Sequence, residues 1–336
     1  MLVTNNFQLK QFNTFGIAAV AKHFAGFSSV EALCELLDRF PSERKLFLGG
    51  GSNILFLQDY DGIVLKNNLK GISIAAQDQD HIYVKAKAGE SWHELVTFCV
   101  DRNFGGIENL SLIPGNAGAA PMQNIGAYGV ELADVFHELT AYDTIERKTV
   151  TFNSPDCAFG YRDSVFKKLY KNRFVILDIT LRLDKKPVFN LTYKGLKQEL
   201  DKYSAEDITI QLISSTVIRI RRSKLPDPSQ IGNAGSFFKN PEIPGDQFQE
   251  LRLSNPDIAA YKLDNGNYKV AAAWLIEQCG FKGFRRGDAG CHINQPLVLV
   301  NYGNASGKEI YDLSEDILQR VSVKFAIVLE REVNIV

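Results

Sequence analysis

The chain has 336 residues, enough for two or three hydrophobic cores rather than one. Its 38 Lys and Arg against 39 Asp and Glu leave a net charge of −1, which removes the electrostatic basis for binding nucleic acid or an anionic membrane surface and points to a small-molecule partner. Cys34, Cys99, Cys157, Cys279 and Cys291 are odd in number, scattered and never in a Cys-x-x-Cys pair, so neither a disulfide framework nor a metal site is predicted; with no basic-then-apolar N-terminus and no apolar run of about 18 residues, a cytoplasmic protein is expected.

In chain order, Ser28 and Glu31 predict a capping box, with Val30, Leu33, Cys34 and Leu37 following at helical spacing. Lys45 to Leu48 reads as a strand that runs into Gly49-Gly50-Gly51-Ser52-Asn53. A glycine turn directly after a strand, with Ser and Asn at its exit, offers backbone N–H groups to an anion, and pyrophosphate is the natural guest. Strands follow over Gly62 to Lys66 and His81 to Ala88, then a helix capped by Ser91 and Glu94 with Trp92, Leu95, Val96 and Cys99 on one face. The segment Leu110 to Gly129 is rich in Gly, Ala and Pro, lacks Lys, Arg, Asp and Glu, and carries Ile113, Met122 and Ile125. An uncharged glycine-rich segment of this kind is predicted to pack against something rather than to lie in solvent.

Beyond it, Leu139 to Tyr142 and Lys148 to Phe152 predict a hairpin, and Phe174 to Leu183 a strand with Val175, Leu177, Ile179, Leu181 and Leu183 on one side. Ser215 to Arg222 reads as a basic helix with a solvated face, stopped by Pro226 and Pro228. Val270 to Cys279 is a predicted helix ended by Gly280, Ser306 to Lys324 a long helix opened by a Ser306/Glu309 capping box, and Phe325 to Val333 a terminal strand. The two best-known phosphate motifs fail. Ile54 stands where G-x-G-x-x-G requires its third glycine, and Gly303 to Lys308 is one residue short of a P-loop, with Glu309 in place of Ser or Thr.

Asn13-Thr14-Phe15-Gly16, Leu48 to Phe56, Leu112 to Gly129, Phe159-Gly160-Tyr161-Arg162-Asp163-Ser164, Lys224-Leu225-Pro226-Asp227-Pro228, Gly232 to Pro241 and Leu329 to Val333 together resemble one family, in order and at family-like spacing. It is the UDP-N-acetylenolpyruvoylglucosamine reductases (UDP-N-acetylmuramate dehydrogenases) of peptidoglycan synthesis. Asn190-Leu191-Thr192-Tyr193 resembles the subclass with an extra tyrosine-bearing loop over the substrate. The resemblance implies an α+β fold, with a two-lobed FAD-binding region of the vanillyl-alcohol-oxidase (PCMH) type over residues 14–186, split near 70, and a substrate-binding domain over 187–336. It further implies non-covalent FAD, NADPH as reductant, a UDP-sugar substrate, no metal, and a monomer.

Residue by residue, the resemblance places FAD against Gly49, Gly50, Gly51, Ser52, Asn53, Pro114, Gly115, Ala119, Ala120, Gln123, Gly126 and Tyr128. Ala119 and Ala120 stand where relatives often carry serines, so backbone contacts are expected there. Arg162 is implied beside the substrate carboxylate, which its planar fork suits. Ser236 is implied as proton donor, and Glu332 as the group that polarises the enol-type intermediate with Arg162. Strand alternation puts Glu330 and Glu332 on one face and leaves both open; the Leu-Glu-x-Glu-Val match selects the second. Tyr161, Tyr193, Lys224 and Asn240 are implied as substrate contacts. A flavin-dependent oxidase of the same superfamily and a non-catalytic UDP-sugar-binding protein are the alternatives.

Overall fold

The computed structural model describes residues 2–336. The architecture is α+β, and the chain divides into two compact units. The first comprises residues 1–7, 21–50 and 61–223, the second residues 8–20, 51–60 and 224–336. This division differs from the expected boundary at 186/187. The segments 8–20 and 51–60 pack with the second unit, and 187–223 packs with the first, where Leu196, Leu200, Ile213, Val217 and Ile220 share a core.

Strand Phe174–Asp184 organises the first unit. It is the middle strand of a five-stranded antiparallel sheet, flanked by Phe136–Asp143 and His81–Lys87, with Lys148–Asn153 and Ile72–Gln77 at the edges. A strand covered on both faces reads as a continuous apolar run, and residues 175–181 are all buried. The single apolar face expected here is in fact divided between two cores. Val175 and Leu177 join Leu33, Leu36, Leu37, Ile63 and Leu65, whereas Ile179, Leu181 and Leu183 join Trp92, Leu95 and Leu139. The first of those cores is the inner face of helix Val30–Arg39 against a four-stranded sheet ordered Thr4–Gln8, Val20–Phe27, Tyr60–Asn67, Lys45–Leu48. The helix is capped by Ser29, not Ser28: Ser29 accepts from the Ala32 amide, one residue later than expected.

Asp143 closes the far end of strand 136–143 and is 1% exposed. Its carboxylate accepts from Arg173 Nε (3.0 Å) and Nη2 (2.6 Å) and from the amides of Ile145 and Glu146 (2.9 and 3.1 Å). The Arg173 bonds come first among the causes that hold its pKa down to about 2. A carboxyl with a lowered folded-state pKa stabilises the fold above its unfolded value of about 3.9, and that contribution is lost as pH falls towards 2. Asp143→Asn is therefore expected to lower the melting temperature clearly at pH 7, with the gap to wild type closing between about pH 4 and pH 2. A gap independent of pH, measured by thermal denaturation at several pH values, would contradict this account.

In the second unit a four-stranded antiparallel sheet is ordered Gly232–Ser236, Val298–Asn301, Ala289–Cys291, Arg285–Arg286. Helix Gly307–Phe325 buries Ile310, Leu313, Ile317 and Val321, and its Ser306/Glu309 capping box is present as expected. The predicted helix over 270–279 is shorter, Ala272–Gln278, because Val270 ends the strand Tyr268–Val270. The predicted strand Phe325–Val333 does not form. Phe325 completes the helix, Ala326 caps it in a left-handed conformation, and a strand appears only at Asn334–Ile335, parallel to Ile54–Leu55. The alternation nonetheless survives as burial of Ile327, Leu329 and Val333.

Candidate functional site

The glycine turn 49–53 leaves strand Lys45–Leu48 at the end of its parallel pairing with Tyr60–Asn67. A Cβ on Gly50 would lie 2.8 Å from Asn116 Oδ1 and 2.9 Å from the Gly115 Cα, so this turn and the second glycine segment meet backbone to backbone. Gly51 has φ +66°, and a Cβ there would sit 2.0 Å from the Phe12 carbonyl oxygen. Both positions thus need glycine, one for close approach and one for conformation. The Gly51 carbonyl accepts from the Thr14 amide at 3.0 Å, while the amides of Gly50 and Gly51 have no acceptor among the described residues. A side-chain-free turn with two amides not used by the fold fits the pyrophosphate of a dinucleotide cofactor.

The segment 114–129 is held along residues 88–92. Gly118 N donates to Ala88 O (3.0 Å), Ala117 N to Glu90 O (2.8 Å), and Trp92 N to Gly115 O (3.0 Å). This packing is why the segment carries no charges. Two short 3-10 turns, Ala117–Ala119 and Pro121–Gln123, then bring the chain to Gly126 and Tyr128. Ala119 is exposed, whereas Ala120 is 1% exposed and turned into the core, so only its backbone is available to a ligand.

Leu112, Asn124, Tyr128 and Arg162 all adopt positive φ, between 42° and 58°. Such backbone costs of order 1–2 kcal/mol at each L-residue and concentrates at functional sites. Asn124 holds its conformation by donating to Glu131 Oε2 and Gly160 O and accepting from the Ala133 amide. Arg162 donates to the carbonyls of Gly126 (2.5 Å) and Asn124 (3.4 Å), with its guanidinium 5.5 Å from the Tyr161 ring centre. The structure therefore brings Arg162 and Tyr161 together with the predicted cofactor segment. Tyr193 meets Tyr128 edge to face at 5.0 Å.

Sequence reasoning missed Arg221. The helix Ile210–Lys224 is not simply basic and solvated: Arg219 is on the outside, paired with Glu199, but Arg221 continues the buried stripe of Ile210, Ile213, Ser214 and Val217. Burial lowers its pKa, opposed by Tyr128 and reinforced by Arg162, and its Nε has no hydrogen-bond partner among the described residues. The i, i+3, i+4, i+7 spacing that places it inside was present in the sequence. Lys224 ends the same helix and is exposed.

In the second unit, Ser236 ends strand Gly232–Ser236, immediately after the bulge at Gly235 and before the fully buried Phe237 and Phe238. Those two rings fix the backbone that presents the hydroxyl. Residues 330–332 run antiparallel beside 237–239: Lys239 N donates to Glu330 O (2.9 Å) and Glu332 N to Phe237 O (2.8 Å). The glycine-turn exit joins the same segment, Asn53 Nδ2 donating to the Glu332 carbonyl at 3.3 Å. Glu330 points away, its side chain 71% exposed and paired with Lys239 at 2.6 Å. Ser236 and Glu332 are thus on neighbouring backbone, and Glu330 is a surface residue. Asn240 uses its Oδ1 to accept from the Ala272 amide at the start of helix 272–278, a structural task that leaves its amide nitrogen for a ligand. No group of three or more His, Cys, Asp or Glu that could hold a metal occurs among the described residues. Nor is any helix among them long and apolar enough to cross a membrane.

Comparison with known proteins agrees with this geometry. Residues 22–147 match the model of an FAD binding domain, and residues 227–336 match that of the UDP-N-acetylenolpyruvoylglucosamine reductase C-terminal domain. A UDP-N-acetylenolpyruvylglucosamine reductase structure from Thermus caldophilus superposes with a TM-score of 0.70 at 22% identity, over 100% of this chain and 99% of that one, which establishes a shared fold. The expected α+β fold with an FAD-binding domain and a C-terminal reductase-family domain is thus found. Enzymes named UDP-N-acetylenolpyruvoylglucosamine reductase are 46% identical in Flavobacterium johnsoniae and 47% identical in Amoebophilus asiaticus, each over 100% of both chains. With that identity across its full length and both domain models matched, the chain belongs to the UDP-N-acetylenolpyruvoylglucosamine reductase family.

Proposed function

We propose that this chain reduces the enolpyruvyl ether of UDP-N-acetylenolpyruvoylglucosamine to UDP-N-acetylmuramate, with NADPH as reductant, as a cytoplasmic monomer in peptidoglycan precursor synthesis. The observation that carries the reading is full-length identity of 46% to enzymes of that name, together with a glycine turn whose unused amides suit a pyrophosphate. Bound FAD supplies a two-electron carrier between NADPH and the vinyl group. Residues 14–186 are assigned to that cofactor and 187–336 to the substrate. Gly49, Gly50, Gly51, Ser52 and Asn53 would hold the FAD pyrophosphate, and Pro114, Gly115, Ala119, Ala120, Gln123, Gly126 and Tyr128 would line the rest of the FAD site.

Arg162 binds the substrate carboxylate with its planar fork, a charge-assisted pairing that strengthens as negative charge develops there. Glu332 polarises the same enol-type intermediate. Ser236 Oγ gives its proton to the carbon next to the carboxylate; a hydroxyl is a weak acid, but the enol-type intermediate is a strong base. Tyr161, Tyr193, Lys224 and Asn240 contact the sugar nucleotide.

The test is the visible spectrum of the purified protein under anaerobic conditions. Flavin bands that bleach with NADPH and return on adding the enolpyruvyl UDP-sugar support the proposal, as does flavin released by mild denaturation. Bands that return only with oxygen indicate an oxidase, and a colourless protein that binds the sugar indicates a binding protein. The two C-terminal acids give a second check. Glu330→Gln removes only an exposed ion pair, worth about 0–1 kcal/mol, and is expected to change kcat by less than about twofold. Glu332→Gln is expected to lower kcat roughly tenfold to hundredfold, the loss of one charge-assisted interaction. Equal effects in steady-state assays would remove Glu332 from the mechanism.

A further inference from the structure

Lys66 stands on strand Tyr60–Asn67, whose Ile63 and Leu65 belong to the core that also holds Leu33, Leu36 and Leu37. Strand alternation sends Lys66 to the opposite face from Leu65. In the parallel register its partner is Leu48, the last residue of strand Lys45–Leu48, so the side chain reaches past that strand's end to the glycine turn. There its Nζ donates to the Gly49 carbonyl at 2.6 Å. That bond uses one of three ammonium protons, and Lys66 makes no other hydrogen bond and no ion pair among the described residues.

The position is a costly one for a cation. The side chain is half-buried, and burial, followed by the charge of Lys70, lowers its pKa. Lys70 is itself paired with Glu90 at 3.2 Å, whereas Lys66 has no carboxylate to offset it among the described residues. A bond to one neutral carbonyl does not offset the burial of an unpaired ammonium; a bound anion does. The surroundings are prepared for one. Asn116 is fixed by donating to the Gly89 carbonyl at 2.5 Å, and its Oδ1 lies 2.8 Å from where a Gly50 Cβ would be, so the turn admits no side chain. The Gly50 amide has no acceptor among the described residues. An unpaired cation with two free donors and an unused amide on one bare turn share a single complement, a phosphate-bearing group.

We propose that Lys66 is a binding residue for the diphosphate of the flavin dinucleotide, its ammonium supplying at the glycine turn the positive charge that backbone amides lack. It sets cofactor affinity and takes no part in the chemistry. The proposal rests on the assignment of the turn to the FAD pyrophosphate made above, and adds to it a side chain outside the glycine motif itself.

Lys66→Met keeps the apolar stem and removes the charge, and Lys66→Arg keeps the charge. Each holoenzyme is diluted and the released FAD followed by its fluorescence. In Lys66→Met the Kd for FAD is expected to rise roughly tenfold to hundredfold, the loss of one charged hydrogen bond, and the gap to wild type to narrow as ionic strength is raised. Lys66→Arg is expected to recover most of the affinity. With flavin saturating, KM for the enolpyruvyl UDP-sugar is expected to stay within about twofold of wild type, because uniform loss of cofactor affinity leaves the loaded enzyme unchanged. An FAD Kd in Lys66→Met equal to that of wild type overturns the proposal. So does weaker binding that neither salt nor Lys66→Arg alters, which would make Lys66 only a latch on the Gly49 carbonyl. A raised KM with unchanged FAD affinity would place the ammonium at the sugar nucleotide and overturn it as well. Wild-type protein that binds no FAD removes the cofactor assignment and the proposal together, an outcome distinct from equal binding by the two proteins.

Discussion

Ser236→Ala is expected to leave reduction of the holoenzyme by NADPH at its wild-type rate and to slow reoxidation by the enolpyruvyl UDP-sugar at least roughly hundredfold, the usual cost of losing a general acid. The position favours a clean result. The Ser236 hydroxyl makes no hydrogen bond with the described residues, and the flanking backbone is fixed by the buried rings of Phe237 and Phe238 and by pairing with Val298. Removing one oxygen there leaves the local fold intact, so any loss reports on chemistry. Stopped-flow measurement of the two half-reactions separates the outcomes. Equal slowing of both would mean that Ser236 orders the site rather than donating a proton, and no slowing would assign the proton to another group.

The second large effect concerns the glycine turn. Gly51→Ala is expected to destabilise the protein by about 2–5 kcal/mol and to yield protein purified without flavin. Two penalties add. A side chain at φ +66° costs about 1–2 kcal/mol, and overlap of the new Cβ with the Phe12 carbonyl oxygen, 2.0 Å away, adds an overpacking strain of about 1–3 kcal/mol because both groups are backbone. Gly235→Ala supplies the control, with φ +71° but no atom within 4 Å of the added methyl, and should lose only the conformational part. Urea denaturation followed by protein fluorescence and flavin absorbance tests both. A Gly51→Ala variant that keeps its flavin and wild-type stability would mean that the turn adjusts, and would remove the argument that it is built around close backbone approach.

Much of the candidate site is local in character and could be read from the chain. The glycine turn after strand 45–48, the uncharged segment 110–129 and the Ser91 and Ser306 caps each depend on neighbours a few residues away, so composition and spacing reveal them. At Arg221 the run of basic residues masks a place on the apolar stripe of its own helix. Helix 30–39 is capped by Ser29 although Ser28 and Glu31 have the spacing of a capping box, and only the backbone path selects between the two serines.

Other features lie outside local reach. Glu330 and Glu332 share a parity along the chain, and what separates them is pairing with residues 237–239, some ninety positions earlier, which gives Glu330 a lysine partner on the surface and sets the Glu332 backbone against the Ser236 strand and Asn53. Strand 174–184 divides its apolar side between two cores because different elements cover its two halves. The hydrogen bonds of Asn109 and Asn190 join three segments whose sequences carry no mark of one another. By itself the sequence determined the family, most of the element types and the residue kinds available for chemistry, since these follow from local propensity and motif; the terminal segment 325–333 is the exception. Which of the two glutamates is drawn to the surface by a lysine and which arginine continues the apolar stripe of helix 210–224 were decided by tertiary structure, because burial and hydrogen-bond partnership belong to pairs of distant segments rather than to either segment alone.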